Sequence, residues 1–286
     1  MRYSARTHLI VAVVLVLTVG AAWAADQVID VPTRPGVTDR FLLIAPVDPR
    51  AAVVLFAGDD GGLQIATDGT LGNGWLAGNF LVRSRRLFAD QGLMVAVVDA
   101  PSDRQGMGKT MSEAWRALGR PRNGESAVKG FRQSSAHVAD IKAVIAWLRQ
   151  KARVPVWLVG TSRGTESAAY VATQLPPREG GPDGLVLTST ILADPNGRSV
   201  PSMELSKLEI PTLIVHHRDD DCWVTLYRDI PLLMEKLPAG RRTELLTVEG
   251  GKARAGADPC TAFTYHGFNG RESEVVAKIA AWITAK

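Results

Sequence analysis

Six apolar runs of strand length, separated by segments of helical period, set the fold class before any single residue is weighed. They read AAVVLFA (51–57), LMVAVVDA (93–100), VPVWLVG (154–160), GLVLTST (184–190), PTLIVHH (211–217) and TELLTVE (243–249). Runs this continuous in Val, Leu and Ile suit strands covered on both faces. The covering is supplied by segments in which Val138, Ile141, Ile145 and Leu148 share one helical face, and Val275, Val276, Ile279, Trp282 and Ile283 another. The pattern predicts an α/β fold: a mostly parallel twisted sheet with helices on both faces. QVIDVPT (27–33) and FLLIAP (41–46) add two short strands around a Pro/Gly turn.

The chain of 286 residues, 46% hydrophobic and 22% charged, suits one large core. Its start differs: Arg2 and Arg6, an apolar run from Leu9 to Ala21, then Ala22-Trp23-Ala24. That layout is expected of a secretory signal peptide over 1–24, with a single domain over 25–286. An uncleaved anchor is the alternative, although the run is short for a spanning helix. Cleavage takes Arg2 and Arg6 out of 33 basic residues and leaves 31 against 29 acidic ones. So small an excess, scattered without a Lys/Arg block, argues against a nucleic-acid partner, and no further stretch is apolar enough for a membrane. A secreted or periplasmic location makes a disulfide between Cys222 and Cys260 the leading expectation, two buried thiols being the alternative.

The run ending at Gly160 leads into Gly160-Thr161-Ser162-Arg163-Gly164, followed by the helical segment ESAAYVATQL. G-x-S-x-G between a strand and a helix is a nucleophile elbow, a tight turn that holds a serine hydroxyl out above the sheet. A serine hydroxyl is a weak nucleophile until a base takes its proton, and the base needs a carboxylate to orient it. Elbow enzymes order these as Ser, Asp or Glu, His. Of the five histidines, His8 belongs to the signal segment and His137 lies on a helical face, where a satisfied structural histidine is expected. His216 and His217 end a strand where the acid is expected, which leaves His266, in TYHGFNG, as the base. Asp219, Asp220 and Asp221 all qualify by position as the acid.

On these residues the chain resembles the alpha/beta-hydrolase fold superfamily, in its dienelactone-hydrolase-like and serine esterase branch, over essentially all of the mature sequence. The family's HG-x-x-D, laid on His216-His217-Arg218-Asp219-Asp220, implies Asp220 as the acid, with Asp219 next and Asp221 facing solvent or paired with Arg218. His217 stands where the family usually carries glycine. For the oxyanion hole the resemblance implies the backbone N–H of Arg163 and one from Ala57-Gly58-Asp59-Asp60-Gly61-Gly62, with Asp59 ahead of Asp60 and Gly61. The side chains of Asp59 and Asp60 are expected to cap turns in their own loop. A Cys222–Cys260 bond would tie the acid loop to the histidine loop.

The expected activity is hydrolysis of a small-molecule carboxylic ester or related acyl compound through Ser162, His266 and Asp220, with no cofactor. A peptidase or amidase on the same fold, or a non-catalytic binding protein on the scaffold, are the alternatives. About twenty residues between the strands at 184–190 and 211–217 are too few for a large lid. The Arg163 guanidinium is expected in an exposed ion pair with Glu166, the alternative being a substrate carboxylate. Trp75, Met107 and Trp115 lie in two long loops and are pocket or edge-covering residues. DRQGMGKT (103–110) mimics a phosphate-binding loop, but Asp103 replaces its first glycine. No metal site is expected, because His216 and His217 are adjacent on a strand and point to opposite faces. Oligomeric state is not encoded in any pattern of this chain.

Overall fold

A computed structural model describes residues 26–105, 128 and 130–285. The signal segment, Met107, Trp115 and most of the phosphate-loop mimic lie outside these residues. Among the described residues eight strands form one sheet, in the order β1-β2-β4-β3-β5-β6-β7-β8. They are β1 (Gln27–Arg34), β2 (Val37–Ile44), β3 (Ala51–Phe56), β4 (Leu93–Val98), β5 (Val156–Thr161), β6 (Gly184–Thr188), β7 (Thr212–His217) and β8 (Thr243–Val248). β1 and β2 form an antiparallel hairpin, β2 runs antiparallel to β4, and every other pairing is parallel. The hairpin strands are longer than the sequence pattern suggested, because the half-polar stretch Val37–Arg40 pairs along β1 without forming an apolar run.

Helices α1 (Gly74–Ala77), α2 (Phe80–Arg83) and α3 (Arg85–Asp90) follow β3; α4 (Ser135–Ala152) and α5 (Gly164–Gln174) flank β5; α6 (Ile230–Met234) and α7 (Glu272–Thr284) follow β7 and β8. Side-chain alternation along β3 sends Val53 and Leu55 to one layer and Ala52, Val54 and Phe56 to the other. The first layer packs under α2, α3 and α7, through Phe80, Phe88, Val276 and Ile279. The second packs under α4 and α5, through Ile141, Ile145, Leu148 and Val171. α4 starts at Ser134, whose hydroxyl accepts the His137 N–H at 3.2 Å, and stops at Arg153 in the left-handed conformation. Among the described residues no helix is long and apolar enough to cross a membrane.

The topology places the site. β3 lies between β4 and β5, so the loop leaving β3 and the turn leaving β5 emerge side by side at the carboxyl edge, where α/β sheets bind ligands. β7 and β8 deliver two further loops to the same edge. Residues 189–211 carry only single 3-10 turns at Val200–Ser202 and Leu205–Lys207, and no large lid is present among the described residues.

Candidate active site

Ser162 follows β5 directly, with φ of 51°, a left-handed conformation that costs a non-glycine residue on the order of 1 kcal/mol or more. Its backbone is held on both sides. The Ser162 N–H donates to Thr188 O at 3.0 Å, and Ser162 O accepts from the Thr165 N–H at 2.9 Å and the Thr165 hydroxyl at 2.6 Å. The two motif glycines are dictated by space. A Cβ at Gly164 would lie 2.1 Å from Phe56 O, and one at Gly160 would lie 2.5 Å from Gly164 O. The turn therefore fits only because α5 can press its first residue against the end of β3.

His266 sits in a 3-10 turn, Tyr265–Gly267, nearly buried at 6% exposure. The structure brings Asp220 to it, with Oδ2 3.0 Å from Nδ1. Asp219 is more than half exposed and contacts His217 instead, and Asp221 is exposed. Of the two expectations for Asp221 the structure shows the solvent-facing one, since Arg218 pairs with Glu249 at 2.5 Å. Burial works to raise the Asp220 carboxyl, but the neighbouring imidazoles of His266 and His216, by charge and hydrogen bonding, hold it well below the ordinary aspartate value. As an ionised acceptor it fixes the proton of His266 on Nδ1 and leaves Nε2 as the nitrogen free to accept one. The Asp220 carboxylate also accepts the Cys222 N–H at 3.1 Å and the Thr225 hydroxyl at 3.0 Å.

Several residues that composition and spacing leave unremarked hold this arrangement. Thr225 Oγ1 lies 3.2 Å from His266 Nδ1 as well as on the aspartate. His216 Nε2 donates to Thr225 O at 2.5 Å and lies 3.4 Å from Asp220 Oδ2, backing the carboxylate from behind. The Ser189 hydroxyl donates to His266 O at 2.7 Å. Arg83 donates to Gly267 O and Gly78 O, each at 2.6 Å, and pairs with Glu272. His217, in the position where glycine is usual, accepts the Asp219 N–H, donates to Gly250 O and stacks on Tyr265 at 4.6 Å. It thus joins the Asp220 turn to the residue beside His266. Cys222 and Cys260 are disulfide-bonded, with Cα atoms 4.6 Å apart, tying the same two loops covalently.

On the oxyanion side, Gly58 abuts the elbow: a Cβ there would stand 3.0 Å from Ser162 Cβ. Asp59 comes next, with φ of 47°, and lines one cavity with Ser162, Arg163 and His266. The Arg163 N–H is not spent on a hydrogen bond among the described residues. Asp60 accepts the Gly62 N–H at 3.0 Å, a cap within its own loop. The loop is braced by Arg132, a buried guanidinium that donates to Ala57 O, Asp59 O and the Ser167 hydroxyl. Burial lowers its pKa to about 10, against the pull of Glu166 and Asp60.

The Arg163 guanidinium does pair with Glu166, at 2.6 Å, but the pair is not exposed. Both Glu166 and a second partner, Asp194 at 2.5 Å, are buried side chains. Burial alone would lower the arginine, and the two carboxylates outweigh it and raise it. Held this way, Arg163 is not a loose cation for a substrate carboxylate. His137 is structural but not the satisfied histidine expected: its ring packs edge-on between Phe56 and Phe131, and neither ring nitrogen finds a hydrogen-bond partner among the described residues. The cavity over Ser162 has a volume of about 310 Å³ and is walled by Trp75, Trp223, Ile191 and Ala262. The Ser162 hydroxyl makes no hydrogen bond among the described residues; it shares the cavity lining with His266.

No protein-family model matches the chain, and no curated protein matches it by sequence. Solved structures do match over nearly its whole length. A dienelactone hydrolase from Anabaena variabilis superposes with a TM-score of 0.57 at 14% identity, covering 90% of this chain and 95% of its own. An esterase from Pyrococcus furiosus gives 0.58 at 10% identity, covering 91% and 90%. A serine hydrolase without lid from Xanthomonas campestris gives 0.54 at 14% identity, covering 91% and 96%. The fold is thus that of the alpha/beta hydrolases, as the sequence pattern and the elbow anticipated.

Proposed function

We propose that the chain is a serine hydrolase that cleaves a carboxylic ester through an acyl-enzyme. The observation that carries this reading is the buried Asp220–His266 pair, 3.0 Å apart, whose His266 lines the same cavity as Ser162 on its strained elbow. His266 Nε2 takes the hydroxyl proton as Ser162 Oγ attacks the carbonyl carbon. Asp220 holds the imidazole and stabilises its protonated form. The carbonyl oxygen, now negative, is received by the N–H groups of Arg163 and Asp59, usually the largest single contribution to such a reaction. The protonated His266 then gives its proton to the leaving alcohol oxygen as the tetrahedral species collapses to the acyl-serine. Water, deprotonated by the same imidazole, releases the acid and restores Ser162. No cofactor enters this cycle.

The described neighbours named as esterases and hydrolases support the same chemistry by analogy of fold. The Cys222–Cys260 bond is compatible with an oxidising compartment, and together with the signal-like start it supports export of the mature chain. The test is hydrolysis of p-nitrophenyl acetate and butyrate beside a peptide p-nitroanilide. Ester turnover that disappears in Ser162→Ala is expected. Anilide turnover exceeding ester turnover would make the chain an amidase, and a folded wild type inert toward all three would overturn the proposal.

A further inference from the structure

The cavity over Ser162 does not end at the nucleophile. It shares Trp75, Asp258, Thr261 and Ala262 with a second groove of about 420 Å³, floored by the 254–257 turn and Phe263. That groove opens onto a third hollow lined by Lys252, Arg254, Phe263 and Asn269. Trp75 and Phe263 are 48% and 43% exposed, which is unusual for large aromatic side chains outside a binding surface. The groove is built rather than fortuitous. Arg254 N donates to Phe263 O and Lys252 N to Asn269 O, pinning the turn against the segment that leads into His266. Arg254 lines both hollows and Lys252 the third, and neither side chain makes an ion pair among the described residues. The acid of the shared wall, Asp258, is turned on its own loop, where Oδ1 accepts the Cys260 N–H at 2.8 Å.

Resting on the hydrolase reading above, we propose that this groove binds the alcohol arm of the ester, an apolar arm of several carbons that ends in an anionic group. The side is set by the chemistry. The leaving oxygen must reach His266 to be protonated, and the groove flanks the 254–263 segment that runs into His266. The oxyanion donors, Arg163 and Asp59, come from the other two loops and line no part of the second groove. Trp75 and Phe263 take the methylenes, and Arg254 with Lys252 takes the terminal negative charge.

Hydrolysis of ethyl acetate, pentyl acetate and 6-acetoxyhexanoate, followed by pH-stat, tests this. Partial burial of three added methylenes predicts a kcat/KM for pentyl acetate roughly eightfold above ethyl acetate. Rim charges predict about a further fivefold for 6-acetoxyhexanoate, shrinking at high salt. Trp75→Ala should collapse the pentyl-to-ethyl ratio, and Lys252→Ala/Arg254→Ala the acetoxyhexanoate-to-pentyl ratio. Equal kcat/KM for the three esters, or ratios that survive these substitutions, would overturn the groove while leaving the hydrolase reading in place. Saturation-transfer NMR of 6-acetoxyhexanoate on Ser162→Ala reads the groove without catalysis. Binding that weakens with Lys252→Ala/Arg254→Ala supports the groove even if no ester is cleaved, and absence of binding refutes it.

Discussion

Ser162 and His266 meet at one cavity but are held there by different means. The elbow is shaped within itself, where Gly164 leaves no room for a Cβ at Gly160, and by the end of β3, which leaves none at Gly164. His266 sits in a loop between β8 and α7 that has no regular structure beyond one 3-10 turn. It is positioned by contacts from far along the chain: Ser189 on its carbonyl, Arg83 on the next, Thr225 and Asp220 on its ring, and a disulfide to the acid loop. One half is encoded locally and the other by long-range cross-links. The difference teaches that the nucleophile half should fail sterically, all or nothing, and the base half by graded loosening.

The sharpest separation is in the chemistry itself. His266→Ala should lower kcat on the order of 10⁶-fold, since the serine then has no base. Asp220→Asn should lower it on the order of 10⁴-fold by favouring the wrong tautomer, with the Thr225 and Cys222 contacts keeping the loop in place. Steady-state kinetics on the ester panel reads both. On the elbow, Gly164→Ala drives a Cβ into the Phe56 carbonyl and should cost upward of about 4 kcal/mol, enough to leave little folded protein in a denaturant titration. A stable Gly164→Ala would break the claim that this turn is fixed by space.

On the base side, Cys222→Ser/Cys260→Ser should fold yet lose about 4 kcal/mol in urea titration, the chain-entropy value for a bond spanning 38 residues. Its kcat should fall more than its KM changes, because the lost bond frees the loop whose Cys222 N–H, retained in the variant, positions Asp220. A further effect concerns pH. Burial, reinforced by the charges of Arg132 and Arg34, lowers His137 from 6.5 to about 3. The unfolded chain therefore binds this proton first. The stability associated with neutral His137 is full above about 6.5 and is lost as pH falls toward 3. His137→Phe, set between Phe56 and Phe131, should flatten urea-measured stability over that range, whereas an unchanged slope would remove His137 from the account.

The same contrast governs what could be read from the residues alone. The buried parallel strands announce themselves because apolar side chains on both faces leave a continuous run, and G-x-S-x-G announces the elbow because the turn demands glycines. His266 is reachable by position, as the histidine between the last strand and the last helix. The choice among Asp219, Asp220 and Asp221 is not, since three identical side chains are separated only by which way the backbone turns after β7. Arg132, Asp194, Ser189 and Thr225 are ordinary polar residues until the fold brings Ala57, Arg163 and His266 against them. The burial of the Arg163–Glu166 pair was likewise invisible, because the second carboxylate comes from Asp194, beyond β6.

The measurement that addresses the central claim most directly is labelling with a fluorophosphonate, followed by mass-spectrometric mapping of the adduct. The hydroxyl of Ser162, activated by His266, should carry the phosphonyl group in the wild type, and labelling should vanish in Ser162→Ala and slow steeply in His266→Ala. A correctly folded wild type that stays unlabelled, or one labelled at another serine, would contradict it.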